Sequence, residues 1–570
     1  MKSYISKIFI GAALFSMTGL VSCVGDLDQL PNDPNSITSG NFGEDPQKYL
    51  SAVMAKCYSS LAVSGQGGPN GSSDISGLDG GISNWSRVIF MLNELTTDEV
   101  TWRWPDVGVF DLCTGTWGSS NGVLQGAYGR LYTHIAVCND FIRSVNDGTF
   151  TIDAQTKPLA DQFVLEARAL RALSYYYVID FFGNAVRAWD DMKYGEVPPQ
   201  TTRAELFRLV TDDLEDVLAN FKESGVYGRV GKDGVEALLC RYYLNAEVFT
   251  GTPMYDKCWQ HADNIIQRQK GGFKGSGLAN DYLALFCASN DKFAPGGSLQ
   301  DQNEILWTIP YEYPYTESYG GTMFLIAAAT SATSMPTVLY GLNADWGCMR
   351  AREQFADKFN FTDGVSADDR TYLWCTEKQG FTKENDEFSV FTSGYAAIKY
   401  TNVKAAENGM LRRNTYVDSE RGFTFNWAGI GEVNGLPAQT QEFASSDFPI
   451  IRLADVYLMA AECSLRGAGN KTQGLKYVNY IRSRAGVDEW GEAQSNLDNL
   501  LDERCRELYW ENVRRTDLIR FNKFTGSSYT WAWKNNMRNG GAIPEYMNLF
   551  PLPSDVVATY GSNMKQNPGY

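Results

Sequence analysis

The sequence predicts a mainly α-helical protein, a tetratricopeptide-like helical solenoid scaffold with a loop-rich ligand-binding half. Three observations indicate this fold. Apolar residues recur at spacings of three and four, small residues recur at the expected helix crossings, and two long stretches rich in loop-forming and aromatic residues interrupt the pattern. No strict tetratricopeptide consensus of about 34 residues recurs, so the repeat length stays open.

The chain begins with the pattern of a lipoprotein signal. Two lysines precede an apolar run that ends in LVSC (20–23). This run is too short to span a bilayer as a helix. We therefore expect residues 1–22 to be a signal peptide, Cys23 to be the lipidation site, and residues 23–41 to be a tether rich in turn-forming residues. An ordinary secretory signal with Cys23 near the cleavage point is the alternative.

Residues 42–570 are expected to form a single domain. Its helical scaffold is predicted over about 42–62, 121–270 and 448–521. In 159–182, for example, the apolar spacing of four and three turns one helix face inward. Residues 513–570 carry few helix signals beyond a short run near 529–537. Individual helices are predicted over 44–61, 121–147, 159–182, 203–222, 234–250, 255–268, 449–466, 472–485 and 497–512.

Two stretches do not fit the helical pattern and are expected to carry the ligand. Residues 63–118 are rich in Gly, Ser, Asp and Trp, and residues 271–447 are loop-rich and aromatic. Strand signals occur near 304–309 and 389–401. An irregular surface on a rigid scaffold is where binding residues usually lie. The Gly and Ser content of 63–86 predicts that this loop orders only when ligand arrives.

Composition narrows the classes of partner. The net charge of −17 argues against nucleic acid and anionic lipid, and it is compatible with a neutral ligand such as a glycan. Fourteen Trp residues exceed what core packing usually demands, so some should be exposed and functional. The ten cysteines after Cys23 are far apart and form no CxxC, and the chain has two His, so no zinc set is predicted. Small buried thiols are expected, with a single disulfide as the alternative.

Long segments spread along the chain carry a family resemblance. They are NELTTDEV (93–100), LEARALRALSYYYVIDFFG (165–183), VEALLCRYYLNAEVFTG (235–251), FPIIRLADVYLMAAEC (448–463), YIRSRAGV (480–487), LLDERCRELYWENVRRTDLIRF (500–521), FPLPSDVV (550–557) and QNPGY (566–570). Together they resemble the SusD/RagB family of Bacteroidetes outer-membrane lipoproteins, most closely its starch-binding prototype. The resemblance implies a tetratricopeptide-like half, a variable ligand-binding half, no catalytic activity, and partnership with a SusC-type TonB-dependent transporter.

The resemblance also bears on location. The acidic stretch that follows Cys23, with Asp26 and Asp28, looks like the surface-export signal of Bacteroidetes lipoproteins. A solvated tether that merely begins with two acids is the alternative. A lipid-anchored protein of the outer membrane, facing the outside of the cell, is what the resemblance implies.

The family's ligand site is an arc of aromatic rings flanked by polar residues. TWRWPD (101–106), YGGTMF (319–324) and DWGC (345–348) match its aromatic segments, while Asp79 and Arg87 match its polar members. The implied ligand-binding residues are Asp79, Arg87, Trp102, Trp104, Asp106, Tyr319 and Trp346. The prototype has an Asn shortly after the second Trp. Here Asp106 would stand in as an acceptor, but the amide donor is missing. The implied ligand is an α-glucan such as starch, with another glycan as the alternative.

Each of these residues also has a structural interpretation. Trp102 and Trp104 point the same way if their segment is a strand, and they would then fit a core as well. Arg87 fits an ion pair and Asp79 fits a turn. Among functions, a lipid-anchored glycoside hydrolase and a peptide-binding solenoid are the alternatives. The hydrolase would need a facing carboxylate pair, and the sequence singles none out.

Other charged residues favour structural roles. Asp98 and Glu99 are expected to fix a helix–loop junction by capping or ion pairing. The alternating charges of 503–520 have helical spacing and predict a network on a solenoid face. Oxygen ligands gather around Asp291 and in 301–303 without the spacing of an EF-hand. A structural Ca²⁺ at Asp291 is thus an alternative to a solvated loop, and no other cofactor is predicted.

Overall fold

The computed structural model describes residues 45–69, 73–75, 79–81, 83–222, 225–332, 334–375, 383–384, 386–433 and 435–570. The predicted signal peptide, Cys23 and the tether lie outside the described residues. The helices are α1 Pro46–Ala62, α2 Trp85–Asn93, α3 Val109–Thr114, α4 Gly122–Asn146, α5 Lys157–Phe182, α6 Arg203–Asn220, α7 Lys232–Leu244, α8 Ala246–Thr250, α9 Tyr255–Arg268, α10 Gly321–Ala329, α11 Glu353–Ala356, α12 Leu453–Leu465, α13 Lys471–Arg484, α14 Leu497–Leu508, α15 Arg514–Arg520 and α16 Ser554–Tyr560.

The strands are short and pair only in twos. They are β1 Val100–Trp102, β2 Ile305–Ile309, β3 Met349–Ala351, β4 Arg413–Asp418, β5 Phe423–Ala428, β6 Glu432–Val433, β7 Leu436–Pro437 and β8 Phe448–Arg452. The antiparallel pairs are β1–β3, β2–β8, β4–β5 and β6–β7. Two of these pairs join segments that lie far apart in the sequence. The β1–β3 pair connects the two loop-rich stretches, and the β2–β8 pair connects the second of them to the scaffold.

The scaffold is a continuous helical array, as predicted. Helix α4 packs on α5, α5 on α6, α6 on α7, α7 on α9, α9 on α12, and α12 on both α13 and α14. Local signals set the ends of these helices. The Asn121 side chain caps α4 by accepting from the backbone N–H groups of Val123 (3.0 Å) and Leu124 (3.3 Å). Helix α5 ends at Gly183, whose φ of +64° suits glycine.

Strand β8 leads directly into α12, which corrects the predicted helix 449–466. Residues Phe448–Arg452 pair with Ile305–Ile309 and helical geometry begins only at Leu453. The strand predicted near 304–309 is confirmed. Both strands are buried along their whole length, which explains their continuous apolar character.

A buried network of charges fastens the scaffold. Arg452 is completely buried, and its guanidinium donates to Glu304 (2.6 Å), Glu507 (3.1 Å) and Glu511 (2.6 Å). Arg370 extends the network to Glu503 and Glu507, at 2.9 and 3.2 Å. The network is structural, as predicted, but it lies inside the protein and not on a solenoid face. Buried charges need such multiple partners, because each one loses its hydration on folding.

Asp98 and its neighbours join the site-bearing segment to the scaffold, as predicted. Arg514 donates to Asp98 at 2.7 and 2.8 Å. Burial opposes ionisation of Asp98, but the Arg514 guanidinium outweighs it and holds the pKa well below its usual value. Glu94 and Glu99 are buried beside this pair, and burial raises the pKa of both. Glu94 accepts from the backbone N–H of Val513 (3.2 Å).

The irregular stretches, which also hold the unpredicted strands β1 and β3 to β7, contain more helix than predicted. Helices α2, α3 and α10 lie within them. The strand predicted over 389–401 is wrong, since the described part of it contributes an isolated bridge between Tyr395 and Ala351. Near 529–537 the structure has a 3₁₀ turn at Lys534–Asn536. Helix α15 lies within the helical scaffold predicted over 448–521, whereas the C-terminal helix α16 was not expected.

The cysteines are buried and unpaired, as predicted. They are Cys57, Cys113, Cys138, Cys240, Cys258, Cys287, Cys348, Cys375, Cys463 and Cys505. In the part of the chain that the structure describes, no helix combines the length and the apolar character that crossing a membrane requires.

Candidate binding site

Three partly exposed aromatic rings form a row on the loop-rich half. Trp104 and Trp346 lie 6.2 Å apart between ring centroids, with 36° between their planes. Trp346 and Tyr319 follow at 6.1 Å and 50°. Each ring is thus tilted against the next, so the row is not flat. The structure brings these three predicted residues together, although Trp104 lies more than two hundred positions before the other two in the sequence.

Trp102 does not belong to the exposed row, which corrects its expected role. Its side chain is completely buried, stacks on Phe324 at 5.3 Å and meets Trp104 edge-on at 5.9 Å. Pairing of β1 with β3 places Trp102 opposite Met349, and this pairing buries it. The two tryptophans do lie on one side of the segment, as the alternation predicts. Trp102 therefore supports the row from behind and cannot stack on a ligand.

Asp106 also has a different role from the one expected. Its Oδ2 accepts a hydrogen bond from Trp102 Nε1 (2.8 Å), and it is not among the residues that line the pocket. A buried indole N–H needs such a partner. Asp106 therefore fixes the buried tryptophan, and the structure gives no support to its expected contact with ligand.

Arg87 lies in the pocket on the first turn of α2. Its guanidinium stands 4.6 Å from the Phe324 ring centroid and 6.0 Å from that of Trp346. The Nε of Arg87 has no hydrogen-bond partner in the described part of the chain. Burial lowers the pKa of Arg87, and the charges of Asp106 and Asp79 partly offset this effect. The Arg87 side chain thus lines the pocket, while its unpartnered Nε is itself buried.

Asn84 positions Arg87 and the tyrosine segment together. Its Oδ1 caps α2 by accepting from the Arg87 backbone N–H (3.2 Å). Its Nδ2 donates to Ala62 O (2.8 Å) at the end of α1 and to Ser318 Oγ (3.3 Å). One buried amide therefore connects the end of α1, the start of α2 and the segment that carries Tyr319.

Two glycines allow the close approach behind Tyr319. A Cβ on Gly320 would lie 2.1 Å from Asn84 Oδ1, and one on Gly321 would lie 2.1 Å from the Tyr311 ring. Gly321 also has a φ of +55°, which side chains disfavour. The Gly-Gly pair of the YGGTMF motif is thus needed for packing, and it sets where the Tyr319 ring stands.

The Trp346 segment is fastened to α10. The Trp346 N–H donates to Ala327 O (2.7 Å), and the Gly347 N–H donates to Thr330 O (2.9 Å). Asp345 accepts from the backbone N–H of Ala332 (2.7 Å). Because the backbone on both sides of Trp346 is bonded to one helix end, the ring is held at a fixed position in the row.

Asp79 reaches the pocket from the opposite wall. Its Oδ1 accepts from the Gly81 N–H (2.8 Å), so the predicted turn is present, and the side chain is also exposed in the pocket. A Cβ on Gly81 would lie 3.0 Å from both Arg87 Nη1 and Asp79 Oδ1, so these two groups flank the same glycine. Asp79 therefore both closes a turn and lines the pocket, so its two predicted roles are compatible.

Arg130, which the sequence did not single out, anchors the wall that carries Asp79. It is completely buried and donates to Ser64 O (3.0 Å), to Asp74 Oδ1 (2.7 Å) and to the carbonyl of Ser83. Residues 70–72, 76–78 and 82 of this loop lie outside the described residues. The expectation that 63–86 orders on binding stays a prediction.

These walls enclose an open pocket of about 420 Å³. Its lining residues are Pro69, Asp79, Gly80, Gly81, Arg87, Trp104, Tyr319 and Trp346. Five of the seven residues expected from the resemblance are thus present in one pocket. Pro69 was missed, because nothing in its local sequence distinguishes it from other loop prolines.

The oxygen-rich segment near Asp291 does not form a recognisable cation site. Among the described residues, no group of three or more His, Cys, Asp or Glu is placed to hold a metal ion. Asn290 instead donates to Leu285 O and Asp447 O, both at 2.9 Å, and Gln302 accepts from the Asn280 N–H (3.0 Å). These side chains brace the loop, and the Ca²⁺ alternative finds no support in them.

Comparisons with known proteins agree with this architecture. The model of the SusD family matches residues 303–570. The starch-binding protein SusD of Bacteroides thetaiotaomicron is 31% identical over an alignment of 595 positions, which covers 100% of this chain and 99% of that protein.

Solved structures with similar folds cover most of the chain. One is surface glycan-binding protein A of Bacteroides thetaiotaomicron in complex with laminarihexaose, with a TM-score of 0.62, 19% identity, and coverage of 91% of this chain and 99% of that chain. Another is a SusD superfamily protein of Parabacteroides distasonis, with a TM-score of 0.63, 20% identity, and coverage of 94% and 100%. At these identities the structures support the fold. Together with the full-length similarity to SusD, they show that this chain belongs to the SusD family.

Proposed function

We propose that this protein is a non-catalytic, cell-surface lipoprotein that captures α-glucan chains such as starch and delivers them to a SusC-type TonB-dependent transporter. The ligand-binding residues are Trp104, Trp346, Tyr319, Arg87 and Asp79. The row of three tilted, partly exposed rings in one open pocket is the observation that carries the proposal.

The tilt between neighbouring rings favours an α-linked glucan over a straight chain. A pyranose ring has an apolar face of C–H groups that stacks on an aromatic ring and buries apolar area. An α-1,4-glucan curls, so its successive sugar faces are tilted against one another, and the ring planes of the row are also tilted, by 36° and 50°. A flat row would suit an extended β-1,4 chain better. The 31% identity to a starch-binding protein supports the same ligand class.

Arg87 and Asp79 complement the rings. Sugar hydroxyls both donate and accept, and the pocket offers a guanidinium donor beside a carboxylate acceptor. Both groups flank Gly81, so neighbouring hydroxyls of one sugar can engage them together. Hydrogen bonds to charged groups contribute about 1.5–3 kcal/mol each, enough to orient a chain that stacking alone would leave free to slide.

The pocket chemistry favours binding without cleavage. Glycoside hydrolysis uses two carboxyl groups that flank the scissile bond. Among the described residues that line this pocket, Asp79 is the single carboxylate. The SusD protein and surface glycan-binding protein A are both named as binding proteins.

Two parts of the proposal, attachment to the membrane by lipid and delivery of glycan to a transporter, are supported by the sequence and by the family. The LVSC pattern that ends at Cys23 supports lipidation, and membership of the SusD family supports a transporter partner. Co-purification of a TonB-dependent barrel with the tagged protein from its native membrane is the expected result. Recovery of the protein without any barrel under mild detergent would contradict the delivery role.

The binding proposal is tested by affinity electrophoresis of the mature protein in gels that contain amylopectin, pullulan, laminarin, xylan or inulin. We expect retardation by amylopectin and pullulan, and its loss in Trp346→Ala. Trp490→Ala is the matched control, because Trp490 is also partly exposed but lies outside the pocket.

Each pattern of retardation has a definite meaning. Retardation by laminarin alone would support a glycan-binding function but contradict the α-glucan assignment, in line with the laminarihexaose complex of surface glycan-binding protein A. Equal retardation of wild type and Trp346→Ala would show that the ring row is not the binding site. Absence of retardation in every gel would favour the peptide-binding alternative.

A further inference from the structure

The row of aromatic rings continues beyond the pocket. Phe443 packs on the inner side of Tyr319 at 5.1 Å, and Tyr313 follows Phe443 at 6.1 Å with 31° between the planes. Phe443 is buried, whereas Tyr313 is partly exposed. Phe443 thus serves as a shared support, with one accessible tyrosine on each side of it.

One chain segment connects this second tyrosine to the ring row. The Leu342–Asn343 backbone, which leads to Trp346, bridges to Gln441. Four residues further on, Ser445 Oγ accepts from the Tyr313 N–H (3.2 Å) and donates to Gln441 Oε1 (2.8 Å). The positions of Trp346 and Tyr313 are therefore set by the same short segment.

Beyond Tyr313 the surface opens into a second pocket of about 350 Å³. Gln441, Ser445 and the exposed Lys404 line it, together with carboxylates such as Glu312. Four carboxylates and two lysines line this pocket, so it offers both acceptors and donors to the hydroxyl groups of a sugar.

Tyr315 lies two residues after Tyr313 in the chain. The Thr316 N–H donates to Glu312 O (2.7 Å) and closes a turn that leaves Tyr315 86% exposed. Tyrosine is enriched where proteins bind ligands, because its ring can stack and its hydroxyl can form a hydrogen bond.

We propose that Tyr313 and Tyr315 form an extension subsite for the same glycan chain, which engages the sugars that run past Tyr319 toward the second pocket. This inference rests on the proposed function. It makes the protein selective for longer oligosaccharides, because a short chain fills the three-ring row and only a longer one reaches Tyr313. Each added stacking contact raises affinity by roughly three- to ten-fold.

The test is isothermal titration calorimetry of the mature protein with two sugar series. One series is maltotriose and maltoheptaose, and the other is a short and a long laminari-oligosaccharide. We expect wild type to bind the longer sugar of one series more tightly than the shorter sugar. Tyr313→Ala and Tyr315→Ala should each lose roughly three- to ten-fold in affinity for the long sugar and leave the short one unchanged. Tyr194→Ala, at a distant tyrosine that is 76% exposed, is the control.

The outcomes separate this inference from the function on which it rests. Unchanged long-sugar affinity in both tyrosine variants, with binding of both lengths lost in Trp346→Ala, would overturn the extension subsite and retain the proposed function. Equal loss for short and long sugars in Tyr313→Ala would show a structural effect and also overturn the subsite. Absence of binding in both series would overturn both proposals.

Discussion

Two arginines show how the scaffold and the pocket differ. Arg452 is completely buried in the scaffold, and its donors are taken up by surrounding glutamates and backbone carbonyls. Arg87 faces an open pocket, and its Nε has no partner in the described part of the chain. Both guanidiniums lie over phenylalanine rings, at 5.2 Å from Phe286 and 4.6 Å from Phe324.

The aromatic surroundings are therefore similar, and the difference lies in the carboxylate partners and in the pocket. The saturated guanidinium of Arg452 contributes to folding, because removing it leaves carboxylates buried without a counter-charge. The unsaturated guanidinium of Arg87 lines a pocket beside exposed rings, where it can contribute to binding at small structural cost. The same residue type thus serves two purposes, and access to the pocket distinguishes them.

The largest expected effect comes from the saturated arginine. Arg452→Met should lower the free energy of unfolding by about 3–5 kcal/mol, because Glu304, Glu507 and Glu511 lose their shared partner. Denaturant unfolding followed by tryptophan fluorescence measures this change. Glycan affinity of the folded fraction should stay within about two-fold of wild type, since no contact in the pocket is altered.

Arg208→Met is the matched control for the scaffold. Arg208 and Asp212 form an exposed pair one helical turn apart, at 3.0 Å, and its loss should cost less than about 0.5 kcal/mol. Equal destabilisation by the two substitutions would contradict the distinction between saturated and exposed arginines.

The unsaturated arginine should show the opposite pattern. We expect Arg87→Gln to lower glycan affinity by roughly ten-fold or more through the loss of a charge-assisted hydrogen bond. The free energy of unfolding should change by less than about 1.5 kcal/mol, since the lost contacts are mainly with aromatic rings. Titration calorimetry and denaturant unfolding on the same preparation separate the two quantities.

Arg143→Gln provides the comparison for Arg87. Arg143 also lies over an aromatic ring, 4.6 Å from that of Tyr194, but it is remote from the binding pocket. Its substitution should leave glycan affinity unchanged. A large loss of stability with unchanged affinity in Arg87→Gln would show that Arg87 belongs with the scaffold.

The smallest expected effect concerns the buried acids between the two regions. Burial raises the pKa of Glu94 above its ordinary value of 4.5 and that of Glu99 to about 7. The folded state therefore holds protons that the unfolded state releases, so this contribution to stability is full below pH 4.5 and is lost as pH rises toward and through 7. Glu94→Gln should flatten this decline, so the variant should be more stable than wild type at pH 8.

Thermal unfolding of wild type and Glu94→Gln between pH 5 and pH 8 measures this difference. The two proteins should be similar at pH 5, where the wild-type carboxyl is protonated and resembles the amide as a donor. If the unfolding temperatures of the two proteins changed in parallel across the whole pH range, Glu94 would be ionised in the folded state.

The scaffold was predictable because its signals are local. Apolar spacing identified the long helices to within a few residues, since a helix repeats every 3.6 residues whatever surrounds it. The start of α12 was misplaced because residues 448–452 pair with a strand about 140 positions away. Helix α10 was missed because it is apolar on every side and therefore shows no periodicity.

The pocket was predictable only through family resemblance. That resemblance identified Asp79, Arg87, Trp104, Tyr319 and Trp346, which do lie together. It could not separate Trp102 from Trp104, because their different exposure depends on the pairing of β1 with β3. Arg130 and Phe443 act from behind the surface, and their roles become visible only when the partner atoms are placed.

The crowded glycine pair behind Tyr319 limits how this surface can be redesigned. No side chain fits at Gly320 or Gly321 without moving Asn84 or Tyr311. The positions of the rings are therefore inherited with the fold, while the identity of each ring can be exchanged. Mutant libraries aimed at new sugar preferences should vary the side chains at 104, 319 and 346 and keep the loop lengths fixed. Natural relatives under the same packing constraint should likewise differ in these side chains more than in loop length.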